Sequence, residues 1–216
     1  MKTSIAFITT LLALLLFTST EIATDQGRQT SFKMVKIEDQ IWTMENLNVS
    51  VYRNGDSIPQ VKNATEWSKL KTGAWCYYEN NPDNAAKYGK LYNWYAVNDH
   101  RGLAPRGLHV PSDEEWTKLT QNLGGYGSGA KIKAKRGWDQ NKNATNETGF
   151  SAIPGGYRYS VGPFLYEGNN ACFWTSTLSD KEKDKAWGRT LNSKMKDIGR
   201  DIGSIGSGLS VRCVKD

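Results

Sequence analysis

The stretch from Gly107 to Gly125, GLHVPSDEEWTKLTQNLGG, marks out a helix together with both of its ends, and it restricts the fold more than any other part of the chain. Pro111 and Ser112 open it. Ser112 and Glu115 stand at the S-x-x-E spacing of a capping box, in which each side chain satisfies the other residue's backbone N–H. Trp116, Leu119 and Leu123 recur at steps of three and four, so they share one face that must be buried. Gly124 and Gly125 close the helix, because glycine enters the left-handed region without a Cβ clash. A short helix with a tryptophan on its buried face needs a broad apolar surface beneath it.

Short strands supply that surface. From Val35 the chain reads VKIEDQIWTMENLNVSVY, whose alternating apolar positions predict one or two strands. Asn54-Gly55-Asp56 signals a turn that Pro59 closes off. Asn63 and Glu66 repeat the cap spacing ahead of Trp67 and Leu70, which predicts a short helix stopping at Gly73, and Ala74 to Tyr78 reads as a strand. NNPDNAAKYGK reads as loop, LYNWYAV as a short helix through Leu91, Trp94 and Tyr95, and AVNDHRGLAPRG as loop. Beyond the capped helix come glycine-punctuated strands in GFSAIPGGYRYS, ACFWTSTLS, KAWGRTLNS and GLSVRCVKD. No repeat or linker divides this region. Helices in the first half and antiparallel strands in the second predict an α+β fold built as one domain.

The N-terminus reads differently. Lys2 precedes an apolar run from Ile5 to Phe17, and Thr18, Ser19, Thr20 and Ala23 then offer small residues for cleavage. That order predicts a secretory signal peptide over residues 1–23, since the run falls short of the ~20 apolar residues a spanning anchor needs. No cysteine precedes Cys76, so a lipoprotein attachment cysteine is missing. Residues 24–33 are polar and are expected to be disordered, with the domain proper over 34–216. No second long apolar stretch follows, so no membrane span is expected after cleavage, and the protein is expected to be secreted or held at the cell surface.

The formal net charge is +6, but the lysines are scattered. Lys181, Lys183 and Lys185 alternate with Asp180, Glu182 and Asp184, and Lys131, Lys133 and Lys135 read as a solvated face, so no nucleic-acid partner is expected. Of the three cysteines, Cys76, Cys172 and Cys213, any pair could form a disulfide in an oxidising compartment, or each could be an inert buried thiol.

The common catalytic constellations do not assemble. The two histidines, His100 and His109, stand in no H-E-x-x-H motif and no cysteine cluster, and no serine occupies a G-x-S-x-G elbow. Gly125 to Ala130 formally matches G-x-G-x-x-A but follows a helix instead of a strand, so a flexible loop is expected there and no nucleotide. Asn80 to Asn84 and Asn98 to His100 are rich in oxygen donors without the spacing of a calcium loop, and read as turns. N-x-[ST] triplets at Asn48, Asn63, Asn143 and Asn146 read as turn and cap residues. No cofactor, no metal and no catalytic residue is therefore expected. What remains is aromatic content: eight tryptophans and ten tyrosines. Trp67, Trp116, Trp174 and Trp187 fall on faces that should pack inward, whereas Tyr77, Tyr78, Tyr157, Tyr159 and Tyr166 border loops and are the candidate ligand contacts.

The series ENLNVSVYRNGDSIP, TGAWCYYENNPDNAAKYGKLYNWYAVND, RGLAPRGLHVPSDEEWTKL, TNETGFSAIPGGYR, FWTSTL and GLSVRCVKD resembles the Fibrobacter succinogenes major paralogous domain, from about Val35 to Asp216. The resemblance implies export, without implying an activity. More distantly, HVPSDEEW, FWTST and SVRCV are similar to segments of formylglycine-generating-enzyme and sulfatase-modifying-factor domains. This likeness implies a C-type-lectin-like domain with two or three short helices, a twisted antiparallel sheet and long loops. The chemistry does not carry across, because the oxidase of that group uses closely spaced cysteines. The calcium signatures of true C-type lectins are missing too. The family resemblance implies a Cys76–Cys213 disulfide, with Cys172 unpaired.

The function these readings favour is an exported, non-catalytic recognition module for polysaccharide or a cell-surface partner. A structural surface protein without a small ligand is the first alternative. An enzyme related to the formylglycine-generating group is the second, and it requires a deep polar pocket with Cys172 beside a second thiol or metal ligands.

Overall fold

The computed structural model describes residues 20–25, 28–140 and 143–216. Along the chain run β1 (Thr20–Asp25), β2 (Arg28–Ile37), β3 (Gln40–Thr43), α1 (Ala64–Ser68), β4 (Trp75–Cys76), α2 (Ala85–Tyr88), β5 (Leu91–Tyr92), α3 (Trp94–Val97) and β6 (Leu108–His109). Then come α4 (Asp113–Asn122), α5 (Ser128–Ile132), β7 (Gly155–Arg158), β8 (Phe164–Glu167), β9 (Asn170–Leu178), β10 (Lys185–Asn192), β11 (Gly199–Ser204) and β12 (Val214–Lys215). One five-stranded sheet has the order β1-β2-β3-β12-β6, a second has β11-β10-β9-β7-β8, and β4 and β5 form a small ladder. Among the described strands every pairing is antiparallel except β7 with β9, which run parallel through Gly156 and Ala171. The fold is α+β, with short helices and curled, mostly antiparallel sheets. Among the described residues, no helix is long and apolar enough to cross a membrane.

The marked helix forms as its residues predict. The Ser112 hydroxyl accepts from the Glu115 N–H at 3.2 Å, and the Glu115 carboxylate accepts from the Ser112 N–H at 2.7 Å. Trp116, Leu119 and Leu123 are buried against both sheets, Trp116 lying 4.8 Å from Trp42 and 5.4 Å from Phe173, ring centre to ring centre. Strand β9 explains why the interior holds together as one body. Ala171 and Phe173 point to the cluster around α4, while Cys172 and Trp174 point to a second cluster with Tyr92, Trp94 and Val211. A third cluster gathers Trp67, Tyr78 and Leu91. Trp67, Trp116, Trp174 and Trp187 are all buried, as their positions predict.

The C-terminal stretch is the seam between the sheets, and little of it is strand. Leu209 exchanges backbone hydrogen bonds with Tyr92, Ser210 donates to Cys172 and accepts from Trp174, and the Val211 and Cys213 carbonyls accept from Leu47 and Thr43. Between them Arg212 is fully enclosed. Its guanidinium donates to Asn46 Oδ1 at 2.7 Å and to the carbonyls of Thr43, Phe150 and Ser151.

Local patterns mislead where tertiary partners intervene. LYNWYAV opens as strand, because Leu91 and Tyr92 pair with Cys76 and Trp75. Asn93 then divides strand from helix, its side-chain oxygen accepting from Ala74 and Ala96. The segment Gly125–Ala130 is not a free loop: α5 begins within it, anchored where Asp197 accepts from the Gly127 N–H. Lys133 is buried instead of solvated and donates to the carbonyls of Asn192 and Met195. Strands β6, β8 and β11 have no clear sequence signal. The predicted leader, residues 1–23, lies outside the described residues up to 19. Of residues 24–33, the described ones, 24–25 and 28–33, belong to β1 and β2, and β1 pairs with the outer half of β2.

Candidate functional site

One face of the β11-β10-β9-β7-β8 sheet is sealed by α4 and the opposite face carries a cleft of about 420 Å³. The period-two alternation of strands determines which residues line it. Cys172 and Trp174 of β9 and Thr190 of β10 form the floor with Leu209 from the seam. Trp174 is locked there by its indole N–H, which donates to the Tyr92 carbonyl at 2.9 Å. Two glycines make the space: Gly188 lies between Trp174 and Asp201 in the strand register, and a Cβ on Gly203 would stand 3.0 Å from the Trp174 ring.

The aromatic wall comes from β7 and β8. Tyr157 and Tyr166 are stacked, with ring centres 5.9 Å apart and planes 29° from parallel. Tyr159 stands beside them, 46% exposed, and Tyr166 is 55% exposed. Arg158, between Tyr157 and Tyr159, points the other way and pins the hairpin. Its guanidinium donates to the carbonyls of Gly162, Val61 and Lys62 at 3.0, 2.7 and 2.9 Å, and it lies 4.4 Å from the centre of the Trp67 ring. A buried cation flanked by two tyrosines thus turns both phenols toward the cleft. The backbone is strained at the same place. Tyr166 has φ 64°, a left-handed value that non-glycine residues seldom take, and Gly156 has φ 62° with the Leu165 carbonyl 2.4 Å from where a Cβ would sit.

The polar complement is sparse. Lys185 lines one end of the cleft, with its ammonium 3.6 Å from Glu182. Asp201 is exposed, and its side chain takes part in no hydrogen bond or ion pair among the described residues. Asn170 accepts a hydrogen bond from Asn192 at 2.7 Å, and Ser204 and Ser207 add hydroxyls. Burial raises the pKa of the Tyr157 hydroxyl above the ordinary phenol value, and Cys172, Tyr166 and Tyr159 lie near enough to add to the effect. Cys172 accepts weakly from the Thr190 hydroxyl at 3.9 Å, and burial pushes its thiol up to about 12, so it is a thiol and not a thiolate at neutral pH.

The structure therefore brings together three of the five candidate tyrosines, Tyr157, Tyr159 and Tyr166, and separates the other two. Tyr77 packs on Trp75, ring centres 5.1 Å apart, and Tyr78 is buried 5.3 Å from Phe164 in the third core cluster. Loop proximity alone did not distinguish rim from core. Asp201, Lys185 and Asn170 carry no signal in the sequence, because each is an ordinary strand residue until the sheet places it. Arg158 carries a legible signal, a cation inside an aromatic strand pattern.

The disulfide between Cys76 and Cys213 is not formed: all three cysteines are free and buried. Cys76 packs with Trp67 and Leu91 in one cluster, and Cys213 belongs to another, so the pair is held apart by the core itself. Burial pushes both of these thiols up to about 12 as well. Around Cys172 the neighbours are Thr190, Trp174 and tyrosines, with no second thiol. Among the described residues, no group of three or more His, Cys, Asp or Glu side chains could hold a metal ion.

A second polar cluster has a structural role. His109 bridges Glu115 at 2.7 Å and Asp216 at 2.8 Å, tying β6 and the C-terminus to the capping box of α4. Burial opposes its protonation, but the hydrogen bonds to the two carboxylates outweigh it and hold the imidazole above its usual value.

These features define an α+β domain that carries an aromatic-walled cleft on one sheet face. Residues 35–215 match the Fibrobacter succinogenes major domain, and the chain belongs to that family. No curated protein and no solved structure matches it.

Proposed function

We propose that the protein is an exported recognition module whose cleft binds a carbohydrate. The observation that carries this reading is the stacked Tyr157–Tyr166 pair, with Tyr159 beside it, over a cleft edged by Asn170, Asp201 and Ser204. Flat apolar faces next to hydrogen-bonding groups suit a sugar ring, which has apolar C–H faces and a hydroxylated rim. The strain at Tyr166 agrees with it, since a costly backbone conformation holds a ring that stays 55% exposed beside Tyr157. A C-type-lectin-like scaffold belongs to the same proposal, supported by the short helices, curled antiparallel sheets and long connections. Secretion or surface retention belongs to it too, supported by the leader-like residues 1–23.

Binding of the purified chain to a glycan array and to insoluble cell-wall polysaccharides tests the ligand. Tyr157→Ala, Tyr159→Ala and Tyr166→Ala should each weaken retention by about tenfold, the order expected for losing one aromatic anchor. Retention on no glycan, or retention indifferent to all three changes, defeats the proposal. N-terminal sequencing of protein recovered outside the cell tests export, with Thr24 as the expected first residue.

A further inference from the structure

The cleft is not electrostatically neutral in what it offers a ligand. Its cation, Lys185, has Glu182 at 3.6 Å. Its carboxylate, Asp201, has no hydrogen bond or ion pair among the described residues. Two arginines lie near it, Arg189 close enough to feel its charge, but neither bonds it directly. Arg189, across the register, donates to Asp113 at 2.6 Å, and Arg200, the preceding residue, also binds Asp113, at 2.8 Å, and covers the Trp187 ring at 3.4 Å. Both are turned to the sealed face of the sheet. The open face thus presents an uncommitted negative charge together with the π faces of three tyrosines, and both attract a cation.

On the carbohydrate reading above, we propose that the preferred occupant is a sugar carrying a protonated amine, with its ring on Tyr157 and Tyr166 and its ammonium at Asp201. Gly188, directly opposite Asp201 in the register, leaves room for such a group without a side chain in the way. A neutral sugar can stack on the same rings but leaves the carboxylate to water. An acidic sugar meets Asp201 with like charge.

The test is titration calorimetry of the intact chain with three tetramers of equal length: β-1,4-linked glucosamine, its fully N-acetylated form, and β-1,4-linked glucose. The glucosamine tetramer should bind about tenfold tighter than the other two, the ratio one cation–π contact and one exposed ion pair supply. Asp201→Asn should erase that preference, bringing the glucosamine tetramer to the same affinity as the two neutral tetramers. Asp201 is exposed, so this variant should fold, and a wild-type thermal transition checks that it does. Equal binding of all three tetramers, or a preference that survives in Asp201→Asn, overturns the amine assignment and leaves the carbohydrate reading standing. No binding of any tetramer, taken with no retention on the glycan array, overturns both.

Discussion

The two faces of the β11-β10-β9-β7-β8 sheet use the same strands to opposite ends. On the face toward α4, Phe173 and Leu191 pack with Trp116 and Phe150, and the charge of Arg189, 3% exposed, is paired: one guanidinium nitrogen donates to the Asp113 carboxylate, carbonyl and Thr117 hydroxyl. On the other face, Gly188 and Gly203 leave space, Asp201 is uncommitted, and three tyrosines stand over the opening. Residues one position apart along a strand therefore face a packed core on one side and an open cleft on the other.

Changes on the sealed face should be the most damaging. Trp116→Ala removes the ring that joins Trp42, Phe150 and Phe173, and should cost about 4 kcal/mol in urea denaturation. Asp113→Ala strands the buried Arg189 cation and should cost about 3 kcal/mol, while Asp113→Asn should cost less because it keeps an acceptor. If either variant unfolds at the wild-type midpoint, the division between faces is wrong.

Gly156→Ala sharpens the contrast from the open side. Its Cβ would meet the Leu165 carbonyl in a left-handed backbone, so about 2 kcal/mol of stability should go together with the alignment of Tyr157 and Tyr166. Thermal melting and glycan retention should fall together. His109→Gln is expected to cost under about 1 kcal/mol, since the imidazole is partly exposed. The sign of its pH dependence follows from its raised pKa. Protonated His109 contributes fully below its unfolded value of 6.5, and the contribution is lost as pH rises through the higher folded value. The gap between wild type and variant should be widest near pH 6 (about one unit below neutral) and close in mildly alkaline buffer. A gap that grows with pH contradicts the His109 bridge.

Tyr166→Gly should have the smallest effect on stability, within about 0.5 kcal/mol, because glycine relieves the left-handed strain that the lost Tyr157 contact helped offset. It should nonetheless weaken sugar retention by about tenfold, as Tyr166→Ala does. A strongly destabilised Tyr166→Gly protein would mean that the ring is a packing element and not a binding one.

Much of the scaffold was legible because it depends on local chemistry. The α4 capping box, the Asn63 cap of α1 and the strands around Trp42, Trp174 and Trp187 follow from spacing and side-chain type alone. The candidate site was legible only in part. Tyr157, Tyr159 and Tyr166 were picked out beside Tyr77 and Tyr78, which look the same in sequence and are separated only by which core cluster each strand joins. Lys133 looks solvated until the Asn192 carbonyl, 59 residues on, is brought to it, and Arg158 is buried only because the Val61 carbonyl, 97 residues back, meets it. The implied Cys76–Cys213 bridge fails for the same kind of reason.

The amino-acid sequence by itself determined the α+β class, the family, the helix with both of its ends and the tryptophans that must be buried, since caps and periodicity act over a few residues. Only the tertiary structure decided which tyrosines face a common cleft, which charges are spent in ion pairs and that Asp201 is not. Those outcomes depend on strand register and on glycine gaps between distant segments, and a side chain's surroundings are set by its neighbours in space.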